Sequence, residues 1–439
     1  MPDTNESNKT TSKGISRRNF FKGAGLLAAT AAMAQLPLTG NNTVQAATAN
    51  SINDLYEISK DFKRFDQKNE MFCRMEWDPK FMPPPKPLIN TSMPGYSVLD
   101  QAAGFAGWTG TNSLGTQFGW RSGDEGFYSW ASLGNTKPPQ EPWQASPEEA
   151  AHVIKLYAQD LGIAATGITT VDIRFFYSHY FHRGTKKYGE IKISDTATKA
   201  ELLPDGTRVI PSSMKYVIVM LASMPYEMMA TAPYGVSHGG TGFGYSIMAL
   251  YAATMAEFIR GLGYNAIPLG GDTALCVPQA IAAGLGEAGR NGMLISKVGA
   301  RVRIFRVMTD LPLATDKPIN LGVREFCKSC EKCARECPAQ AIPYGDMTTE
   351  GPNISNHHGI KKWYVNAEKC RLFWNENGGI TCIRCIATCP YNKPDGYWTH
   401  ALGNKIAPIL GGTLVTIDDM MGYGKIVETK DYWKRPLRN

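Results

Sequence analysis

"FCKSCEKCARECPAQAI" spans residues 326–342, and a second cysteine run, "CIRCIATCPYN", follows at 382–392. The first run, Cys327-x2-Cys330-x2-Cys333-x3-Cys337-Pro338, has the spacing of bacterial two-cluster ferredoxins, in which the fourth cysteine ligates the other cluster. The second, Cys382-x2-Cys385-x3-Cys389-Pro390, lacks a nearby leading cysteine, and Cys370 upstream supplies one. The crossing rule then assigns Cys327, Cys330, Cys333 and Cys389 to one 4Fe–4S cluster. Cys370, Cys382, Cys385 and Cys337 go to the other. Short spacers let thiolates on one tight turn meet one cubane, and each proline ends its loop. Zinc, the alternative, favours isolated CxxC pairs. Eight of ten cysteines fall within 327–389, leaving only Cys73 and Cys276 outside. Disulfides do not explain that clustering.

Outside this module the composition is that of a packed globular protein, 43% hydrophobic and 10% aromatic over 439 residues. Net charge is +7, of which +3 belongs to the first 46 residues. The mild remainder and the lack of basic runs with interleaved aromatics argue against a nucleic-acid partner. At the N-terminus "SRRNFFK" (16–22) precedes the small-residue apolar stretch "GAGLLAATAAMAQLPL" and the cleavage-like Val44-Gln45-Ala46. Residues 1–46 therefore read as a twin-arginine signal peptide, addressed to the twin-arginine translocation machinery rather than spanning a membrane.

Residues 47–145 read as an irregular segment wrapping the core, with Pro-rich "MPPPKP" (82–87) and a Gly/Trp-rich passage at 104–130. Trp108, Trp120 and Trp130 there either wall an apolar cavity or pack the core. From 146 to 320 helical and strand-like patterns mix. Ser146 and Pro147 start a helix through Val153, Leu156, Tyr157 and Leu161, which stops at Gly162. "VDIRFFYS" (171–178), "KYVIVMLAS" (215–223), "NAIPLG" (265–270) and "RVRIFRVMTDLPL" (301–313) read as strands. "GYSIMALYAATMAEFIRGLGY" (244–264) reads as a helix entered and left through glycines. The expectation is an α+β core over 146–320, a double 4Fe–4S ferredoxin-like module over 321–395, and a segment 396–439 folded back onto the core. No GxGxxG opens a helix after a strand, no D-x-H-x-x-G corrinoid motif is present, and no histidine sits at a metal-ligand spacing.

With these pieces in hand, the chain resembles the corrinoid-dependent reductive dehalogenases of organohalide respiration. The likeness runs from "SRRNFFK" through "GYSIMALYAATMAEFIRGLGYNAIPLGGDTAL" (244–275) and "AAGLGEAGRNGMLISKVGARVRIFRVMTDLPL" (282–313) to the cysteine module. "LGEAGRNG" and "TDLPL" are shared with epoxyqueuosine reductases, one alternative identity. An exported iron–sulfur electron-transfer subunit without corrinoid is another. The resemblance implies a nitroreductase-like core and a base-off corrinoid (a cobamide) without a protein ligand on cobalt. It also implies two 4Fe–4S clusters and reductive removal of halide from an organohalide substrate; the compact chain and the glycine at 271 point to a small chlorinated alkane or alkene.

By motif position it implies that Tyr245 donates the proton and that Arg303 lowers the tyrosine's pKa and stabilises the phenolate. Gly271, where some members carry asparagine, implies a locally altered substrate cavity. "GPNISNHHGIKKWYVN" (351–366) is placed to cover the corrinoid edge. The partners implied are a small integral-membrane anchor subunit and a quinone-pool or low-potential electron donor. The location implied is the outer face of the cytoplasmic membrane, held peripherally.

Overall fold

A computed structural model describes residues 47–82, 91–112, 130–131, 136–394 and 411–437. The twin-arginine stretch, most of "MPPPKP" and Trp120 lie outside the described residues. The helices that matter below are α1 (Val98–Ala106), α2 (Pro147–Asp160), α3 (Gly235–Gly261) and α4 (Cys276–Ala282). Three more belong to the C-terminal part: α5 (Val323–Cys330), α6 (Ala367–Glu376) and α7 (Gly412–Met420). The central sheet holds β1 (Ala165–Thr170), β2 (Tyr216–Ser223), β3 (Ala266–Leu269) and β4 (Val302–Thr309), in the order β1–β2–β4–β3 with every pair antiparallel. The architecture is α+β.

The unbroken apolar run of β2 follows from its place between β1 and β4, with both faces covered. Ile218, Met220 and Ala222 face α2 and α3, where Ile154, Met248, Met255 and Ile259 complete one core. Val217, Val219 and Leu221 face the other way, onto Phe175, Ile191, Ile210 and Ile281. Each such buried Val, Ile, Leu or Met side chain contributes roughly 1.5–3 kcal/mol. Ser146 Oγ accepts the Glu149 N–H at 3.1 Å and so caps α2.

Two local readings are corrected. "VDIRFFYS" is not a strand: Asp172 accepts the Arg174 N–H, closing a 3₁₀ turn over Ile173–Phe175, and the sheet strand is the preceding β1. Helix α3 starts nine residues before the glycine at 244. Its glycines are not boundaries but a packing face against α1. A Cβ at Gly239 would meet the Ala103 carbonyl oxygen at 2.1 Å, so the two helices approach backbone to backbone. Helix α1 is itself regular structure inside the segment expected to be irregular. Ser97 and Asp100 form its capping box.

Segment 411–437 touches three places at once. Val415 packs with Val323, Phe326 and Cys330 of α5. Asp418 pairs with buried Lys332 at 2.5 Å and also with Lys393. Buried Asp100 of α1 accepts from Thr429 Oγ1 at 3.0 Å and Trp433 Nε1 at 2.8 Å. The segment therefore leans on the cysteine module and on α1 as well as on the core.

Candidate active site

The eight clustered cysteines come from three pieces of chain. Cys327 and Cys330 lie on α5, Cys370 on α6, and Cys385 on the short helix Arg384–Ala387. Between Cys330 and Cys333 the backbone turns through Glu331, a non-glycine residue at φ 44°. Conformations of this kind cost of order 1–3 kcal/mol and persist where surrounding structure over-determines them. The thiol of Cys389 is within electrostatic range of Cys327, Cys330 and Cys333. Cys370 interacts with Cys382 and Cys337, and Cys385 with Cys382, Cys370 and Cys337. Cys385 also feels Cys333, so the two groups of four abut.

Burial pushes the Cys327 and Cys370 thiols up to about 12 and Cys382 to about 11, and neighbouring thiols add to the effect. Iron would have to displace those protons on binding. Among the described residues no three His, Cys, Asp or Glu side chains converge on one ion. The thiols of each group interact across the group instead.

The "GEAGRNG" motif is the bracket between core and module. Arg290, 1% exposed, donates from Nε and Nη2 to the Cys327 carbonyl at 3.1 and 2.9 Å, and from Nη1 to Pro343 and Gly345 carbonyls. Its guanidinium also lies over Trp363, 4.6 Å from the ring centroid. Asn291 Nδ2 donates to the Cys385 carbonyl at 3.4 Å. One arginine and one asparagine thus grip both cysteine runs.

Beneath the module lies a cavity of about 990 Å3, at the upper end of ligand sites in general. Cys337, Cys370, Cys382 and Cys385 line it, whereas Cys327, Cys330, Cys333 and Cys389 do not. Tyr245 and Arg303 line it too. Arg303 belongs to the β4 face that carries Phe305 and Val307 toward α3, and Tyr245 looks back from α3. Arg303 Nη1 lies 3.3 Å from Tyr245 Oη, with the guanidinium 4.4 Å from the phenol ring centroid. Trp108 also stacks on Tyr245, with ring centroids 5.3 Å apart. Glycine makes this close packing possible. A Cβ at Gly242 would meet the Trp108 ring at 2.5 Å, and one at Gly244 would meet Met224 Cγ at 2.8 Å and Arg303 Cγ at 3.1 Å.

Of the tryptophans in the Gly/Trp-rich passage, Trp108 reaches the cavity and Trp130 is buried in the core beside Arg208. Asn356, Lys362, Trp363, Tyr364 and Val365 of the 351–366 stretch line the cavity. Gly271 does not line it, and a Cβ there would meet nothing within 4 Å. Position 271 therefore does not shape this cavity, contrary to the expectation from sequence. Its neighbour Asp272 is tied instead to Arg208 at 3.1 Å.

Several lining residues were not singled out from sequence. His238 sits two helical turns before Tyr245 on the same face of α3, a relation visible once the helix is known to start at 235. Its Nδ1 faces Thr381 Oγ1 at 2.8 Å and accepts the Thr381 N–H at 3.3 Å. Burial lowers its pKa to about 4, so the ring is neutral and carries its proton on Nε2. Glu70, whose carboxyl burial raises to about 7, and the arginines Arg183, Arg371 and Arg384 also line the cavity.

Parts of the chain match known proteins. Residues 195–313 match the family model of a reductive dehalogenase subunit, and residues 326–392 that of a 4Fe–4S double cluster binding domain. The chain is 35% identical over 355 residues to a tetrachloroethene reductive dehalogenase of Desulfitobacterium hafniense, covering 71% of this chain and 63% of that protein. It is 33% identical over 341 residues to that of Sulfurospirillum multivorans, covering 74% and 64%. An epoxyqueuosine reductase of Leadbetterella byssophila is 27% identical over 248 residues, 55% of this chain and 79% of that one. A solved reductive dehalogenase, described as suggesting a mechanism for B12-dependent dehalogenation, has the same fold. Its TM-score is 0.62 at 21% identity, covering 88% of this chain and 50% of that one. The chain spans a little under two thirds of the length of the two tetrachloroethene reductive dehalogenases. With the double cysteine module and the Tyr245–Arg303 cavity go these likenesses: residues 195–313 match the reductive dehalogenase subunit model, and over 71% of its length the chain is 35% identical to a reductive dehalogenase.

Proposed function

We propose that the chain is a corrinoid- and iron–sulfur-dependent reductive dehalogenase whose corrinoid sits between the second cysteine group and the Tyr245–Arg303 pair. One observation carries the reading: a single cavity has Cys337, Cys370, Cys382 and Cys385 on one wall and Tyr245 with Arg303 on another. Electrons and a proton can therefore be delivered into the same space. Cys327, Cys330, Cys333 and Cys389 hold the outer 4Fe–4S cluster. The four cavity-lining cysteines hold the inner one.

The walls fit a corrinoid. Thr241 Oγ1, Asn356 Oδ1 and Arg303 Nε are buried at the cavity without a hydrogen-bond partner among the described residues, and the amide rim of a corrin can supply partners. Phe105, Trp108 and Met293 offer apolar surface for the macrocycle face and for a halocarbon. His238 supports a cobalt without a protein ligand. Its Nδ1 is occupied by Thr381 and its Nε2 carries the proton, so neither nitrogen is free to coordinate.

A corrinoid held there would supply low-valent cobalt for reductive cleavage of the carbon–halogen bond. Tyr245 gives a proton to the carbon that halide leaves, and the Arg303 cation over its ring stabilises the remaining phenolate. Two electrons and one proton convert R–X to R–H and X⁻. Because two of the relatives named above are tetrachloroethene reductive dehalogenases, a small chlorinated alkene is the preferred substrate, ahead of a chloroalkane.

The "SRRNFFK" stretch supports twin-arginine export to the outer face of the cytoplasmic membrane. A small membrane-anchor subunit and a quinone-pool or low-potential donor complete the proposal. No helix among the described residues is long and apolar enough to cross a membrane. The test is anaerobic reconstitution, metal analysis, and halide release from chloroethenes, chloroethanes, chloromethanes and chlorophenols. Full turnover by protein that contains iron but no cobalt would sink the reading.

A further inference from the structure

Lys332, two residues after Cys330, is 1% exposed, and its ammonium has three acceptors. Asp418 Oδ2 lies at 2.5 Å, Asp419 Oδ1 at 2.8 Å and the Tyr423 carbonyl oxygen at 3.0 Å. Lys393, four residues after Cys389, pairs with the other oxygen of Asp418, and its ammonium lies 4.0 Å from the Tyr423 ring centroid. Asp418 is itself buried. One carboxylate of α7 therefore joins a lysine from each cysteine run, in a network whose partners all come from the protein.

Packing does not require these charges. Val415 and Leu414 of α7 already join Val323, Phe326 and Cys330 in apolar contact. An ion pair buried in such surroundings adds little stability over hydrophobic side chains of similar size. Its placement says more. Cys327, Cys330 and Cys389 border the same apolar cluster, so α7 covers the first cysteine group. Burial pushes the Cys330 thiol up, the N–H and ammonium of Lys332 pull it down, and the Asp418 carboxylate opposes them by less. Lys393 in turn feels Cys389. Two cations against one carboxylate leave a net positive charge enclosed beside these thiols, because Asp419 is 43% exposed and also holds Arg335 at 2.9 Å.

We propose that the Lys332–Asp418–Lys393 triad sets the reduction potential of the outer cluster, holding it above the value that the four thiolates alone would give. Reduction adds one electron, supplied by the donor of the reading above, and so one negative charge, to a cluster that is already anionic. An enclosed positive charge favours that electron, and burial keeps water and salt from screening it. The C-terminal segment thereby becomes part of the electron entry, since α7 supplies the carboxylate that fixes both lysines. The inference rests on the assignment of Cys327, Cys330, Cys333 and Cys389 to the outer cluster.

The test is an anaerobic EPR redox titration of full-length protein with both clusters assembled and no corrinoid, the outer signal being the one absent from Cys389→Ala. Lys393→Gln is expected to move the outer midpoint to more negative potential and to leave the inner one in place. That shift should persist at high salt, as expected of an enclosed charge. Asp419→Asn is expected to move the outer midpoint the opposite way, and by less, because its carboxylate is partly in water. Opposite signs on removing a cation and an anion are not expected of a triad that only holds structure. Lys332→Gln is the second variant if Lys393→Gln does not retain its clusters, with the same negative shift expected. An unmoved outer midpoint, equal movement of both midpoints, or movement of the same sign in Lys393→Gln and Asp419→Asn overturns the proposal. So does loss of the outer cluster from both lysine variants, which would leave the triad a structural clamp. Wild type that assembles a single cluster, or loss of the same signal from Cys389→Ala and Cys385→Ala, overturns the underlying assignment instead.

Discussion

Arg303 and Tyr245 are 58 residues apart in sequence and meet because β4 and α3 share one face of the sheet. The guanidinium is 3.3 Å from the phenol oxygen and lies over the ring. On the proposal above, donation from Tyr245 would leave a phenolate beneath the Arg303 cation. Tyr245→Phe is expected to cut halide release by about 10²- to 10⁴-fold, the usual range for loss of a general acid, with cobalt and iron content unchanged. Arg303→Gln should also slow turnover, and more than Arg303→Lys does. Steady-state halide release with parallel metal analysis checks both. Undiminished turnover in Tyr245→Phe with bound corrinoid removes the assignment.

Cys389 belongs to the second cysteine run but interacts with thiols of the first. Cys389→Ala should therefore eliminate the same EPR signal as Cys327→Ala, and Cys385→Ala should eliminate the other. Each variant should hold about half the iron of wild type, one cluster of two. Pairing of the Cys389 and Cys385 phenotypes would falsify the crossed arrangement.

Arg290 is enclosed and satisfies carbonyls on both sides of the first cysteine loop. Arg290→Ala leaves those acceptors unpaired in the interior and is expected to cost about 3–5 kcal/mol. Lysine cannot reproduce the planar fork, so Arg290→Lys should recover little. The readout is denaturant unfolding followed together with loss of the cluster absorbance, both moving to lower denaturant.

His238 predicts a spectroscopic result. With Nδ1 engaged by Thr381 and the proton on Nε2, the Co(II) EPR spectrum of the holoenzyme should lack nitrogen superhyperfine splitting from a histidine. His238→Asn should leave that spectrum as it is. Splitting that vanishes in the variant would identify His238 as a ligand.

The same residue sets an acid limb. Burial lowers the pKa of His238 to about 4, and that of His357 likewise. An unfolded histidine titrates near 6.5. Between about 6.5 and about 4 the unfolded chain binds a proton that the folded chain refuses, so stability falls as pH drops through that window. The loss is up to about 3 kcal/mol per histidine. His238→Asn should flatten the limb without abolishing it, because His357 still contributes. Unfolding free energies of both proteins across pH 4–7 provide the comparison.

Much of this protein is written in short-range pattern. Cysteine spacing identifies an iron–sulfur module because ligand reach on a tight turn is a local property. Apolar runs mark β2 and β4, and Ser146-Pro147 marks the start of α2, because caps and periodicity act over a few residues. Long-range relations are not written that way. The glycines of α3 carry the same letters whether they end a helix or let two backbones touch, and only the position of α1 distinguishes the cases. "VDIRFFYS" has strand composition, yet one carboxylate closing a turn outweighs it. His238, Glu70, Arg183 and Arg371 have no motif of their own. They become a site because separate segments are brought around one space, and a side chain's charge cost and partners depend on that enclosure, not on its neighbours in the chain.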